Sequence, residues 1–384
     1  MDANAANELI ALPGQNMDAV RDYNKRGADV MDSLVSAAQN ITYGDQERGP
    51  IITLANGIAE YERAMTQARD FHERGDPAML AAYRHADDIL HKTLFPAVDT
   101  LDKVNNDALT RAYGEDRMAF TVSLLMTLVI GALALAALIA TQLFLNHRVR
   151  RTLNPPLLAA TILMGGYLLH TLAVFVGVGS DFKIAKEDAF DSVRSLWQAR
   201  ATAYDANADE SRWLLDRPLA ATYEKAFRDK VSAIASVPPG QNMDDMAQTY
   251  TQGHKADGFK GKLADELNNV TFPDEMEMAA AVLRAWGQYV AIDDKIRQFE
   301  NNGQHDKAIA LCVGNDPGES NYAYTQFDDA LTKTLDLNQK EFDANVRDAG
   351  NKLAPYGKLN PLVLLIVVAL AFAGLLPRLR EYAF

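Results

Sequence analysis

Residues 118–147 read MAFTVSLLMTLVIGALALAALIATQLFLNH, thirty positions without one Asp, Glu, Lys or Arg. A helix of about 20 such residues crosses the roughly 30 Å hydrocarbon core of a bilayer. Residues 152–180 and 359–377 are equally free of charge. These three runs decide the class: the chain is a membrane protein and not a soluble enzyme. Gly and Pro are ordinary and Cys312 is the single cysteine among 384 residues, which excludes collagen-like, disordered and disulfide-rich chains. One thiol supplies neither an internal disulfide nor a thiolate metal cluster, so stability rests on packing.

The charges flanking the runs set the expected topology. Arg148, Arg150 and Arg151 lie between the first two runs; Arg378 and Arg380 follow the third, beside Glu381. Basic residues next to a membrane are retained in the cytoplasm. Five arginines against one glutamate carry a net +4, so −17 of a chain whose total is −13 falls on the two long polar segments, which are expected outside. So acidic a surface argues against nucleic acid and against adhesion to anionic lipid.

The polar segments resemble one another at an offset of about 228 residues. Pro-Gly-Gln-Asn-Met-Asp stands at 13–18 and again at 239–244, and Asn-Ile-Thr-Tyr-Gly-Asp at 40–45 returns as Asn-Val-Thr-Phe-Pro-Asp at 269–274. Tyr61, Phe71 and Gly75 match Tyr289, Phe299 and Gly303. The second copy is preceded by a span and a polar helix that the first lacks, and residues 1–12 show no export signal. An upstream span and helix are therefore expected.

Both segments read as long helices. Ile51, Leu54, Ile58, Tyr61, Met65 and Ala68 step by three and four, as do Leu80, Tyr83, Asp87, Leu90, Leu94, Ala97, Leu101, Val104 and Ala108. Asp87 is an acid at a seam position. Phe190, Val193, Trp197, Ala201, Tyr204, Ala208, Ser211 and Leu215 form a third seam, with Trp197 and Tyr204 expected in the core and Trp213 beside it. Gly75 followed by Asp76-Pro77 is a helix stop and start, and Pro96 should kink the helix that follows. The Pro-Gly-Gln-Asn-Met-Asp hexapeptide reads as a turn plus an N-cap, with a duplicated docking loop as the alternative.

The predicted organisation is all-α. It places an extracytoplasmic helical bundle over 1–117, transmembrane helices at 118–145, 155–178 and 359–377, and a second extracytoplasmic bundle over 179–358. A cytoplasmic loop at 146–154 and a cytoplasmic tail at 378–384 complete it, with a fourth span upstream. Phosphate-binding, dinucleotide-binding, zinc-protease and serine-hydrolase motifs are missing from the sequence, so no catalytic, cofactor or metal residue is assigned. His72, His85 and His91 read as solvated, although Asp87 and Asp88 beside His85 are candidate cation ligands. His170 within a span suggests a helix–helix hydrogen bond and Gly165-Gly166 a close helix approach.

SLWQARATAYDANADESRWLL at 195–215, the 40–45 segment and the double-unit layout resemble actinobacterial membrane proteins of the GlnX type. The resemblance implies a link between an external amino-acid-binding lipoprotein and a cytoplasmic Ser/Thr kinase. The expected function is thus a non-enzymatic transmembrane transducer in the cytoplasmic membrane, with a second copy of the chain among its candidate partners. Arg148, Arg150, Arg151, Arg378 and Arg380 are the candidate contacts for the inner partner. A chemoreceptor-like ligand sensor would need a long cytoplasmic signalling helix, which the chain lacks. A structural anchor or scaffold would need neither ligand nor helix movement.

Overall fold

The computed structural model describes residues 1–149 and 154–381, and every regular element among them is a helix. In chain order these are α1 (Asp2–Ile10), α2 (Met17–Gln39), α3 (Asp45–Glu73), α4 (Ala78–Ile89), α5 (Phe95–Val149), α6 (Pro155–Lys183) and α7 (Asp191–Leu215). There follow α8 (Ala220–Ile234), α9 (Met243–Thr251), α10 (Lys262–Asn269), α11 (Glu275–Asn301), α12 (His305–Val313), α13 (Ser320–Leu353) and α14 (Tyr356–Glu381). Among the described residues three helical runs are long and apolar enough to cross a membrane: Ala78–His147, Pro155–Leu215 and Ser320–Pro377.

The first two runs extend far beyond their apolar stretches. A π-helical turn, Leu90–Leu94, joins α4 to α5, and a second, Ile184–Phe190, joins α6 to α7. The first explains why Pro96 breaks nothing. Proline has no N–H and its ring crowds the carbonyl four residues back; the wide turn ends just before it and leaves Pro96 in the first turn of α5, where the missing donor is tolerated. Beyond it, α5 runs unbroken past Arg117. The third run is interrupted only at Ala354 and Pro355, where Ala354 N–H still donates to Gly350 O at 2.9 Å.

The chain divides into two compact units, one of Met1–Leu109 with Asp191–Asn338, the other of Thr110–Phe190 with Gln339–Phe384. This departs from the expected pair of separate bundles over 1–117 and 179–358, because residues of both polar segments share the first unit. The reason lies in α7. From Ala206 to Leu214 every residue is buried, so this part of the helix has no solvent face and takes partners from both segments.

Within the first unit, Tyr61, Met65, Ala68, Tyr83 and Ala86 form one core with Ala5, Ala6 and Leu9 of α1. A second core gathers Leu196, Ala199, Ala203 and Ala206 of α7 around Phe227, Trp286, Tyr289 and Phe327. Of the third seam, Val193 and Tyr204 pack against this core and Ala208 and Ser211 are buried, but the two tryptophans stand in each other's expected places. Trp197 is 53% exposed, whereas Trp213 is 3% exposed and carries the Arg217 and Arg297 guanidinium groups on its ring, each 4.6 Å from the centroid. In the second unit Ala160 and Met164 of α6 pack on Val363 and Val367 of α14, with Leu135 and Leu138 of α5 alongside.

The matched motifs adopt the same geometry. Gly14 and Gly240 both take positive φ (78° and 82°), and Asn16 and Asn242 cap α2 and α9, accepting from Ala19 N–H at 3.1 Å and Asp245 N–H at 2.9 Å. Glu47 accepts the backbone N–H groups of Thr42 and Tyr43 at 2.6 Å each. Glu275 does the same for Thr271 and Phe272 at 2.7 and 3.0 Å.

Two intramembrane expectations are corrected. A Cβ on Gly165 or Gly166 would meet nothing within 4 Å; the close approach is at Gly131, whose Cβ would collide with Leu168. His170 stacks on Tyr356 at 6.1 Å, and among the described residues its ring has no hydrogen bond.

Candidate functional site

The all-round burial of α7 would be prohibitive for the sequence Asn207-Ala-Asp-Glu-Ser-Arg212 unless each polar group found a partner. Asp205, Asp209 and Arg212 recur at four and three residues and so share one face. Arg212, its side chain wholly buried, donates from Nη1 to Asp209 at 2.6 Å and Asp205 at 3.1 Å, and from Nε to the Tyr83 hydroxyl at 3.3 Å. Its Nη2 meets Asp87 at 2.9 Å and also pairs with Asp2. Lys230 of α8 pairs with Asp205 at 2.6 Å and with Asp209. His91, in the first π-helical turn, bridges Asp87 at 3.1 Å and Asp205 at 3.3 Å.

Four carboxylates thus face Arg212, Lys230 and His91. Burial alone would lower the His91 pKa; the hydrogen bonds to Asp205 and Asp87 override it and raise it to about 10. Burial pushes the Asp205 carboxyl up, but His91, Arg212 and Lys230 together hold it well below the usual carboxylate range. Arg212 stays protonated far above its ordinary range, since Asp2, Tyr83 and Asp87 outweigh its burial. One turn on, the buried Asp216 receives Arg84 of α4 through two bonds of 2.7 Å.

Other faces of α7 are bound as firmly. Ser211 donates to Asn7 Oδ1 at 2.6 Å. Glu210 accepts from Ser320 at 2.6 Å and from the Cys312 thiol at 3.5 Å, and burial pushes it up to about 8. Arg200 forks onto Asp328 at 2.6 and 2.8 Å.

The acid at seam position 87 is thereby explained, and so is the departure of His91 from the solvated reading; His85 is exposed as expected. Sequence reasoning missed this cluster because the pairs that join its two halves lie 114 to 210 residues apart. The one signal was Asp87 itself, an acid where the seam asks for an apolar residue. Among the described residues no group of His, Cys, Asp or Glu is arranged to hold a metal. Arg148 falls in the last turn of α5, and Arg378 and Arg380 fall within α14; their side chains, with residues Arg150 and Arg151, lie outside the described residues.

The clamp joins helices that are continuous with stretches long and apolar enough to cross a membrane. Asp87 and His91 belong to the run Ala78–His147, and Asp205, Asp209 and Arg212 to the run Pro155–Leu215. Residues 1–114, which contribute Asp2, Tyr83, Asp87 and His91, match the family model of an actinobacterial sensor domain. That match fits an actinobacterial sensor membrane protein with a role in sensing signals. No curated protein and no solved structure matches the chain.

Proposed function

We propose that the protein is a non-enzymatic transducer that carries an external signal, an amino acid or its binding protein, to a cytoplasmic partner such as a Ser/Thr kinase. The observation that carries this reading is the placement of the Arg212 clamp on two helices that run on into membrane-crossing stretches. A stimulus that alters the pairing of Asp87 or His91 with α7 acts on both, and transmission requires an element with two arrangements. The shared geometry of the Gly14 and Gly240 turns, and of Glu47 and Glu275, supports reading the polar segments as two copies of one extracytoplasmic unit. The arginines at Arg148, Arg150, Arg151, Arg378 and Arg380 are then cytoplasmic.

The test uses the full chain with an affinity tag. Co-purification of a binding lipoprotein or a Ser/Thr kinase is expected, and changing Arg148, Arg150 or Arg151 singly to Gln should weaken capture with topology preserved. Four glycines inserted after Arg117 should abolish stimulus-dependent phosphorylation while leaving membrane insertion and the clamp intact. A full response from that insertion variant would sink the transducer reading and leave an anchor or scaffold as the better account.

A further inference from the structure

The first unit holds a polar cavity of about 280 Å³ lined by α1, α2, α7 and α13. From α2 come Asp18, Asp22, Lys25 and Arg26, from α7 Tyr204, and from α13 Tyr324, Asp328 and Asp329. Asp328 is already engaged, by the Arg200 fork and by the Tyr204 hydroxyl at 2.7 Å. Arg26 is only half-engaged. Its guanidinium lies 5.1 Å from the centre of the Tyr204 ring and 3.8 Å from Asp328, too far for a hydrogen bond. Asp22 and Asp329 are exposed carboxylates, Asp22 held loosely by Arg21 at 3.7 Å.

The decisive residue is Tyr324. It is 7% exposed, and its hydroxyl is buried without a hydrogen-bond partner among the described residues. A buried hydroxyl left unpaired is unfavourable, and a ligand in the cavity would satisfy it. Carboxylates and guanidinium stand on the same walls, so a purely anionic or purely cationic ligand would leave one set opposed. We propose that the cavity binds a small zwitterion of the α-amino-acid class. Arg26 and the Tyr324 hydroxyl take its carboxylate, and Asp22 and Asp329 take its ammonium group.

The location suits a sensor. Tyr204 adjoins Asp205 of the clamp, and Tyr324 and Asp328 lie on the helical run Ser320–Pro377. A ligand bridging α2 to α7 and α13 would therefore bias helices that lead into the membrane. Arrival of the ligand from outside rests on the proposed transducer reading, whereas binding is a property of the purified chain; the two can fail separately.

The experiment is calorimetric titration of the detergent-solubilised full-length protein with each proteinogenic α-amino acid, with propionate and propylammonium as single-charge controls. At least one amino acid should bind with Kd below about 1 mM, and Tyr324→Phe and Arg26→Gln should each weaken it about fivefold or more, the factor expected for one lost hydrogen bond. Should Tyr324→Phe disturb folding, Asp329→Asn tests the ammonium side with the same expected loss. The proposal is overturned if no amino acid binds at about 10 mM, if either control binds as tightly, or if the folded variants retain full affinity.

Discussion

Arg212 satisfies carboxylates that could not otherwise share one buried space. Replacing it with Leu would leave Asp87, Asp205 and Asp209 to Lys230 and His91 and Asp2 to the Tyr61 and Tyr83 hydroxyls, and removing one partner of a buried ion pair costs about 3–5 kcal/mol. Denaturant unfolding in detergent should show that loss, with Arg212→Lys intermediate because an ammonium cannot fork. Wild-type stability in Arg212→Leu would refute it. Two groups give stability a common slope with pH. His91 has its pKa raised from 6.5 to about 10, so its contribution is complete below pH 6.5 and is lost as pH rises through 10. Glu210 is raised from 4.5 to about 8, so the fold prefers it protonated and loses that preference between those values. The melting temperature should therefore fall steadily from pH 6.5 to 10. Glu210→Gln should reduce the slope below pH 8 only, whereas His91→Gln should reduce it throughout and flatten the part above 8. A melting temperature independent of pH over this window would contradict both assignments.

At the scale of elements, what the sequence disclosed depended on whether a helix has two unlike sides. The seam of α3 was legible because its outer side is polar, and Tyr61, Met65 and Ala68 are buried as their spacing requires. The spans were legible from composition alone, and the caps at Asn16 and Asn242 from local chemistry that needs no distant partner. α7 was not legible. Its stretch from 206 to 214, enclosed on every side, carries no periodic contrast, and the polar residues there follow partners that only the fold brings near, so Trp213 is buried where the seam had placed Trp197. The same limit applied to Gly165-Gly166, since a pair of glycines does not say which side a neighbour occupies. A direct comparison follows for the second unit. Gly131→Leu should cost about 1–3 kcal/mol through its collision with Leu168, whereas Gly166→Leu, with open space around it, should stay within about 0.5 kcal/mol. Thermal unfolding in detergent compares the pair, and equal losses would dismiss the assigned packing.

At the scale of the molecule, the single thiol is a silent background for labelling, because Cys312 is 1% exposed and its pKa is raised by burial. The native chain should resist a membrane-impermeant maleimide until unfolded. Cysteines placed at Gly14 or Gly253 should react in intact cells, and one at Arg150 only after permeabilisation. Reaction at 150 in intact cells would overturn the proposed sidedness. Residues 1–114 expressed alone should be poorly structured by circular dichroism, since Asp2, Tyr83 and Asp87 would lack Arg212. A cooperative unfolding transition in that fragment would count against a shared first unit. Synthesis in the cell imposes the same separation for a time. Asp2 and Arg212 lie 210 residues apart, so at 5–20 residues per second a ribosome needs roughly 10 to 40 s to supply the second after the first. Throughout that interval the nascent amino-terminal half waits with acidic side chains unmatched, while two apolar stretches leave the exit tunnel. Its exposure to proteases and its need for a holding chaperone are thus set by the pace of translation.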